Sequence, residues 1–332
     1  MPLNKVAIVA PVHIPVSQKW IDALLKEPAD VIIVDDSAGD IEFPDSFEVY
    51  DYARQEKEMG KDLYKQFEQF HRSAACKNFG TWLAYKQGYD VIIVIDSDCI
   101  VNEGFVQEHL IALSTKGIGW LNPLRGTGFY SRGFPYSKRS QEKWCHMGLW
   151  TNELDLYGTD RVGKTDIPKE PKELFDAEYN APYAGRGAPA HFPLSGMNVS
   201  FKREAIPYML FLPNFDYGEP DNFYGFRRHD DIWGGYIFQK IAHAKNKALS
   251  YVHPYVFHDT VVVPEEDAVE EVAMIKYEDD FYNFIDRVSI ELWQEDSAFT
   301  IFDTLAYMAI YSDEFSGLKE AFQFWADAFK DL

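Results

Sequence analysis

Nine residues, Val91-Ile92-Ile93-Val94-Ile95-Asp96-Ser97-Asp98-Cys99, constrain the fold more than any other stretch of the chain. Five consecutive β-branched side chains suit a strand covered on both faces, as in a mostly parallel α/β sheet, and not the alternation of a half-exposed strand. Open sheets of that kind bind ligands beyond the carboxyl ends of their strands, which is where Asp96 and Asp98 fall. Along an extended chain the two carboxylates point to one side, so both can face a single hard cation such as Mg2+ or Mn2+.

Strand-end Asp residues often only cap the next turn, and Asp-x-Asp alone fits two chemistries. One is a nucleotide-sugar transferase of the GT-A type, with the pair holding the metal of a UDP-sugar. The other is a haloacid-dehalogenase-like phosphatase, with the first Asp as nucleophile. The order of elements opposes the phosphatase. At least two strands precede the motif, Ile100 stands where Thr or Val is expected, and a Gly-Asp pair expected late occurs early, at Gly39-Asp40.

Val6 to Ala10 and Val31 to Val34 read as strands flanking a helical pattern from Val16 to Leu25, so the chain opens as β-α-β. The second strand ends in Asp35-Asp36, and a carboxylate there can accept the imide N–H of a uracil ring. Phe47 to Tyr50 reads as a third strand, and Asp51 to Phe70 as polar and helix-prone. His71 to Lys86 reads as a helix whose Lys77 either reaches a pyrophosphate or lies on the surface. Glu103 to Leu113 is an expected helix and Ile118 to Leu121 an expected strand. From Asn122 to about Leu194 periodicity stops, and Gly, Pro, Tyr and Arg accumulate in the manner of long functional loops.

Inside that region Arg125 to Arg139 concentrates positive charge in a chain whose formal net charge is −21. Such a loop can offset a diphosphate. A strand resumes at Ser195 to Phe201. Asp230 and Asp231 precede a helix running to about Ala244, where one of them serves as its cap. Leu249 to Phe257 is a further strand, ending in His258, a third candidate metal ligand beside Asp96 and Asp98. Residues 1–263 are thus expected to form a catalytic domain, and 264–332 an acidic helical extension serving as a cap or oligomer surface.

The strong negative charge excludes non-specific binding to nucleic acid or to an anionic membrane surface. No stretch reaches membrane-spanning length, and three cysteines without a Cys-x-x-Cys pair exclude a disulfide framework. An unexported, cytoplasmic protein is expected.

The ordered motifs resemble the reversibly glycosylated polypeptides of glycosyltransferase family 75, which include UDP-arabinopyranose mutases. Asp96-Ser97-Asp98-Cys99 is similar to the family's Asp-Asp-Asp-Cys, with Ser97 replacing the middle carboxylate. Ile32-Ile33-Val34-Asp35-Asp36 and Cys76-Lys77-Asn78-Phe79-Gly80 match its upstream motifs. Arg132-Gly133-Phe134-Pro135-Tyr136-Ser137-Lys138-Arg139 resembles its Arg-Gly-Tyr-Pro-Phe-Ser-Leu-Arg, whose first arginine is the glycosylated one. Gly148-Leu149-Trp150 with Asn152 and Asp155, Ser195-Gly196-Met197-Asn198, Asp230-Asp231-Ile232-Trp233 and Pro254 to His258 follow in the same order. Met147 stands where the family has His, with His146 one position earlier.

The resemblance implies a GT-A-like (Rossmann-like) enzyme interconverting pyranose and furanose forms of a UDP-sugar, UDP-arabinose above others, with a C-terminal helical extension. It implies Arg132, Arg139, Asp230 and Asp231 as catalytic residues. Asp36, Lys77, Ser97, Asn122, Gly196, Asn198 and Trp233 would bind substrate, while Asp96, Asp98 and His258 would hold Mn2+ or Mg2+. The alternatives are a transferase with a separate acceptor and a non-catalytic UDP-sugar-binding subunit. A homo-oligomer is also compatible with the chain.

Overall fold

The computed structural model describes residues 5–37, 41–114, 132, 136, 142–170, 191–216 and 225–332. The β-α-β opening is present as β1 (Val6–Val12), α1 (Gln18–Leu24) and β2 (Asp30–Asp35), followed by the short β3 (Glu48–Tyr50). All seven residues of β1 are buried, as a strand covered on both faces requires. The Ser17 hydroxyl caps α1 by accepting from the Trp20 N–H, which fixes the way out of β1.

The polar α2 (Tyr52–Met59) and α3 (Lys61–Phe67) lead to α4 (Lys77–Lys86) and the central β4 (Val91–Ile95). Helix α4 starts later than the expected His71. The His71 ring and the Arg72 N–H are both bonded to Asp36, and Arg72 has a φ of 57°, so the chain cannot be helical there. Gly80 lets α4 lie directly on the sheet, since a Cβ at that position would come 2.4 Å from Val9 Cγ1.

Beyond β4 come β5 (Cys99–Val101), α5 (Phe105–Ser114), β6 (Lys143–Asn152), the single turn α6 (Gly158–Arg161), β7 (Asn198–Lys202), α7 (Asp230–Ala244) and β8 (Ala248–His258). The eight strands form one sheet in the order β3-β2-β1-β4-β7-β6-β8-β5. The β3-β2-β1-β4 half is parallel, β7 runs antiparallel to both β4 and β6, β8 is parallel to β6, and β5 is antiparallel to β8. This is the expected α/β architecture, a mostly parallel sheet flanked by helices.

Connectivity alone requires the sheet to curl. Strands β4 and β5 are four strand spacings apart, about 19 Å if the sheet were flat. Only Asp96, Ser97 and Asp98 join them, a reach of roughly 14 Å at full extension. The Asp-Ser-Asp turn therefore closes one end of the curled sheet. Its backbone is held by the Met197 carbonyl, which accepts from the Asp96 N–H, and by Trp20, whose indole N–H donates to the Asp96 carbonyl at 3.3 Å.

Strand β6 falls within the stretch expected to be irregular. Its polar residues hid it. Lys143 is 1% exposed and donates from Nζ to the Ala112 carbonyl at 2.7 Å, while His146 bonds the Ser250 hydroxyl at 2.7 Å and the His253 carbonyl. The expected strand at Ile118 to Leu121 lies outside the described residues.

The C-terminal segment contains α8 (Pro264–Glu270), α9 (Val272–Asp286), α10 (Ile290–Gln294), α11 (Ala298–Ala309) and α12 (Lys319–Ala328). Its aromatic stripes pack against the sheet-bearing part of the chain. Phe281 stacks on Trp233 at 4.2 Å between centroids, and Phe324 meets Phe67 and Phe70. The Trp325 indole donates to the Pro207 carbonyl and the Trp82 indole to the Ala328 carbonyl. Among the described residues no helix is long and apolar enough to cross a membrane. Cys76, Cys99 and Cys145 are free thiols, all buried.

Candidate active site

The site is built around a buried cation. Lys77, the first residue of α4, is 1% exposed, and its ammonium lies 3.0 Å from Asp96 Oδ1, 3.8 Å from Asp230 Oδ2 and 5.0 Å above the Phe211 ring. Burial alone would favour the neutral amine. The charges of Asp96, Asp230 and Asp231 outweigh it and keep Lys77 protonated.

Asp230 and Asp231 open α7, and Asp231 Oδ2 accepts the Gly196 N–H at 2.6 Å. A Cβ on Gly196 would stand 2.6 Å from Lys77 Nζ, so any side chain there would have to displace the cation from its place. Burial is the largest influence on both carboxyls and pushes them above the usual range. Asp231 adds repulsion at Asp230, Asp155 adds it at Asp231, and Lys77 opposes the rise in both.

Asp98 lies across the turn from this nest. Its Oδ2 is 3.3 Å from His258 Nε2, and the His258 Nδ1 lies 2.7 Å from the Glu153 carbonyl. Register explains the pairing, since Cys99 and Asn152 both stand opposite His258 in the sheet. Burial works against ionisation of both groups but is outweighed by their mutual attraction, which lowers Asp98 and raises His258. An imidazole anchored through Nδ1 on a carbonyl, with Nε2 facing a carboxylate, is a donor set that suits a divalent cation. Asp96 is arranged differently from the expectation that it shares one cation with Asp98 and His258. Its Oδ1 is engaged by Lys77, and among the described residues these three do not form a close three-ligand group.

Asp36 also departs from expectation. Its carboxylate is wholly buried and saturated: Oδ1 is bonded by Tyr52 and His71, and Oδ2 by His13 and the Arg72 N–H. Burial pushes it up, but those hydrogen bonds outweigh it and hold Asp36 well below the carboxylate range. No lone pair remains for a uracil imide. His13, Asp36 and Cys76 have potential ligand atoms within 4.8 Å of one another, yet the hydrogen bonds of Asp36 and the buried, protonated thiol of Cys76 account for the cluster without a metal.

Two other expected ligand contacts are interior. Asn198 is fully buried, with its amide donating to the Leu149 and Pro254 carbonyls and accepting from His109, so it fastens β7 to its neighbours. Trp233 is fully buried against Phe281. Ser97 is half-buried in the turn itself, and Arg132 is exposed. Asn122 and Arg139 lie outside the described residues.

Asp155, quoted with the Gly148-Leu149-Trp150 motif, and Arg228 have no role among the expected site residues. Asp155, three residues beyond β6, is exposed yet crowded by protein, and its Oδ2 is 3.4 Å from the Ser195 hydroxyl. Burial raises its carboxyl, opposed by Arg228 and His258. Arg228 holds a left-handed backbone, φ 57°, just before the two catalytic candidates Asp230 and Asp231. Both residues lack a periodic signature, and Asp155 sits in the stretch read as irregular.

The reversibly glycosylated polypeptide model matches residues 5–331. The chain belongs to that family. Among its relatives are the probable UDP-arabinopyranose mutase 1 of Zea mays, 26% identical over 66% of this chain and 60% of that protein, and UDP-arabinopyranose mutase 1 of Oryza sativa subsp. japonica, 25% identical over the same shares. UDP-arabinopyranose mutase 1 of Arabidopsis thaliana is 24% identical over 79% of this chain and 74% of the relative. In the first two matches this reversibly glycosylated polypeptide thus spans three fifths of its curated relatives. Among solved structures, glucosyl-3-phosphoglycerate synthase from Mycobacterium tuberculosis with Mn2+ and UDP-glucose is similar at a TM-score of 0.41 and 13% identity, covering 82% of this chain and 78% of that one. Mannosyl-3-phosphoglycerate synthase from Rubrobacter xylanophilus is similar at a TM-score of 0.42 and 12% identity, covering 89% and 79%.

Proposed function

We propose that this protein is a UDP-sugar mutase of the UDP-arabinopyranose mutase type, interconverting the pyranose and furanose forms of UDP-arabinose. Family membership supports the class of reaction. The observation that carries the reading is the buried Lys77 nest with Asp96, Asp230 and Asp231, set against the Asp98–His258 pair at one end of the curled sheet. Mn2+ or Mg2+ held by Asp98 and His258, with Asp96 beside them, would offset the charge of the diphosphate.

In this reading the bond between the sugar C1 and the diphosphate breaks with its electron pair leaving on UDP. Arg132 captures C1, and Asp230 or Asp231, whose raised carboxyls suit proton transfer near neutrality, takes the guanidinium proton. The ring opens and recloses through a different hydroxyl, UDP retakes C1 and the proton returns to Arg132. By the family's motifs, Arg139 and Asn122 would contribute to binding the donor. Residues 1–263 carry the chemistry and 264–332 brace it, in the cytoplasm and as a homo-oligomer.

The test is incubation with UDP-arabinopyranose and Mn2+, with chromatography of the nucleotide sugars and mass spectrometry of the Arg132 peptide. A furanose product made without an acceptor is expected. Transfer to an added acceptor with no furanose would replace the mutase by a transferase, and UDP binding without turnover would leave a binding subunit.

A further inference from the structure

The catalytic proposal leaves Arg228 and Asp155 unused. Arg228 and Asp155 come from distant parts of the chain, Arg228 before α7 and Asp155 after β6. Glu271 ties their segments together: its Oε1 accepts from Arg228 Nε at 3.0 Å, and its Oε2 accepts from the Gly158 N–H at 2.7 Å. Asp267 holds the same guanidinium through Nη1 at 3.0 Å. Both clamping carboxylates belong to the C-terminal segment, on α8 and at the start of α9.

The clamp has a specific result. It fixes the plane of the guanidinium with two of its nitrogens engaged, while the Arg228 side chain remains 41% exposed. The remaining donors are presented in a preorganised fork, at little entropic cost on binding. Asp155 presents an exposed acceptor within electrostatic reach of that fork, and also of Asp96, Asp231 and His258. Asp155 Oδ2 lies 3.4 Å from the hydroxyl of Ser195, whose neighbour Gly196 donates its N–H to Asp231 in the Lys77 nest.

A donor fork and a carboxylate on segments that Glu271 ties together match neighbouring hydroxyl groups, each of which both donates and accepts. They match a diphosphate poorly, because Asp155 would repel it. We infer that Arg228 and Asp155 form the subsite that reads the hydroxyls of the donor sugar, with Asp267 and Glu271 as positioning residues supplied by the C-terminal helices. The inference rests on the nucleotide-sugar reading above and adds to it a residue set that separates sugar recognition from nucleotide recognition.

The test compares calorimetric titrations of UDP and UDP-arabinopyranose, each with Mn2+, into the full chain and its Arg228→Lys and Asp155→Asn variants. Loss of a charged hydrogen bond predicts UDP-arabinopyranose binding weakened by about tenfold or more, with UDP binding held within about twofold. Glu271→Gln should produce a smaller change with the same selectivity for the sugar-bearing ligand. Thermal unfolding identifies any variant that fails to fold, and Arg228→Lys, which keeps the charge and stem, then decides the outcome. Equal weakening of both ligands, or of neither, overturns the subsite. Failure of the unaltered chain to bind UDP overturns the nucleotide-sugar reading, and the subsite with it.

Discussion

Replacing Lys77 with Met should destabilise the protein in a way that depends steeply on pH. The substitution preserves most of the buried stem but removes the positive charge that Asp96, Asp230 and Asp231 face together. Breaking a buried ion pair by removing one partner costs about 3–5 kcal/mol while the orphaned carboxylates stay ionised. They can escape by taking up protons. In the folded protein the carboxyls of Asp230 and Asp231 already sit above their ordinary range, so the folded state binds more protons than the unfolded one and stability falls as pH rises. Lys77 counteracts that rise. Without it both carboxyls move further up, and each added proton difference steepens the loss by about 1.4 kcal/mol per pH unit. The deficit of Lys77→Met against the unaltered chain should therefore be near the full value at pH 8 and shrink to roughly 1 kcal/mol around pH 5. Urea unfolding of both proteins between pH 5 and 8.5 measures it. A deficit that is flat with pH would refute the reasoning, because it would mean the carboxylates do not depend on Lys77 for their charge.

Asp98→Asn should weaken Mn2+ binding by about tenfold or more in calorimetry, and affinity in the unaltered chain should fall as pH drops through the raised value of His258, whose protonated ring cannot ligate. Unchanged affinity in the variant would place the cation elsewhere. Trp325→Ala removes a fully buried indole and its hydrogen bond to Pro207, and should cost about 3–5 kcal/mol in a single unfolding transition seen alike by fluorescence and circular dichroism. Two separate transitions would show that the C-terminal helices fold apart from the sheet.

The strongest signals in the sequence were strands without polar residues. Val91 to Ile95 could be read because nothing interrupts five β-branched side chains. Strand β6 could not, because Lys143 and His146 look like surface residues until the Ala112 carbonyl, the Ser250 hydroxyl and the His253 carbonyl are brought to them by the fold. The pairing of Asp98 with His258 follows from the curl of the sheet, which puts residues 160 positions apart in contact, so chemistry at the ends of strands was legible in kind before it was legible in partnership. Asp36 illustrates the reverse case. The residue type and its position at a strand end suggested a free acceptor, whereas His13, Tyr52 and the adjacent His71 and Arg72 N–H arrive from three places to fill it. Sequence pattern reports what a side chain can offer, and only packing reports whether the offer is already taken.

The covering of α4 by α12 bears on the order in which the protein can be made. Trp82 reaches the Ala328 carbonyl, and Phe67 and Phe70 lean on Phe324. While the chain is still emerging from the ribosome, the strands of the sheet can pair, but the outer side of the helix bearing Lys77 stays bare until residues 319–328 have appeared. A nascent chain paused before that point would display an aromatic surface open to chaperones or to other nascent chains.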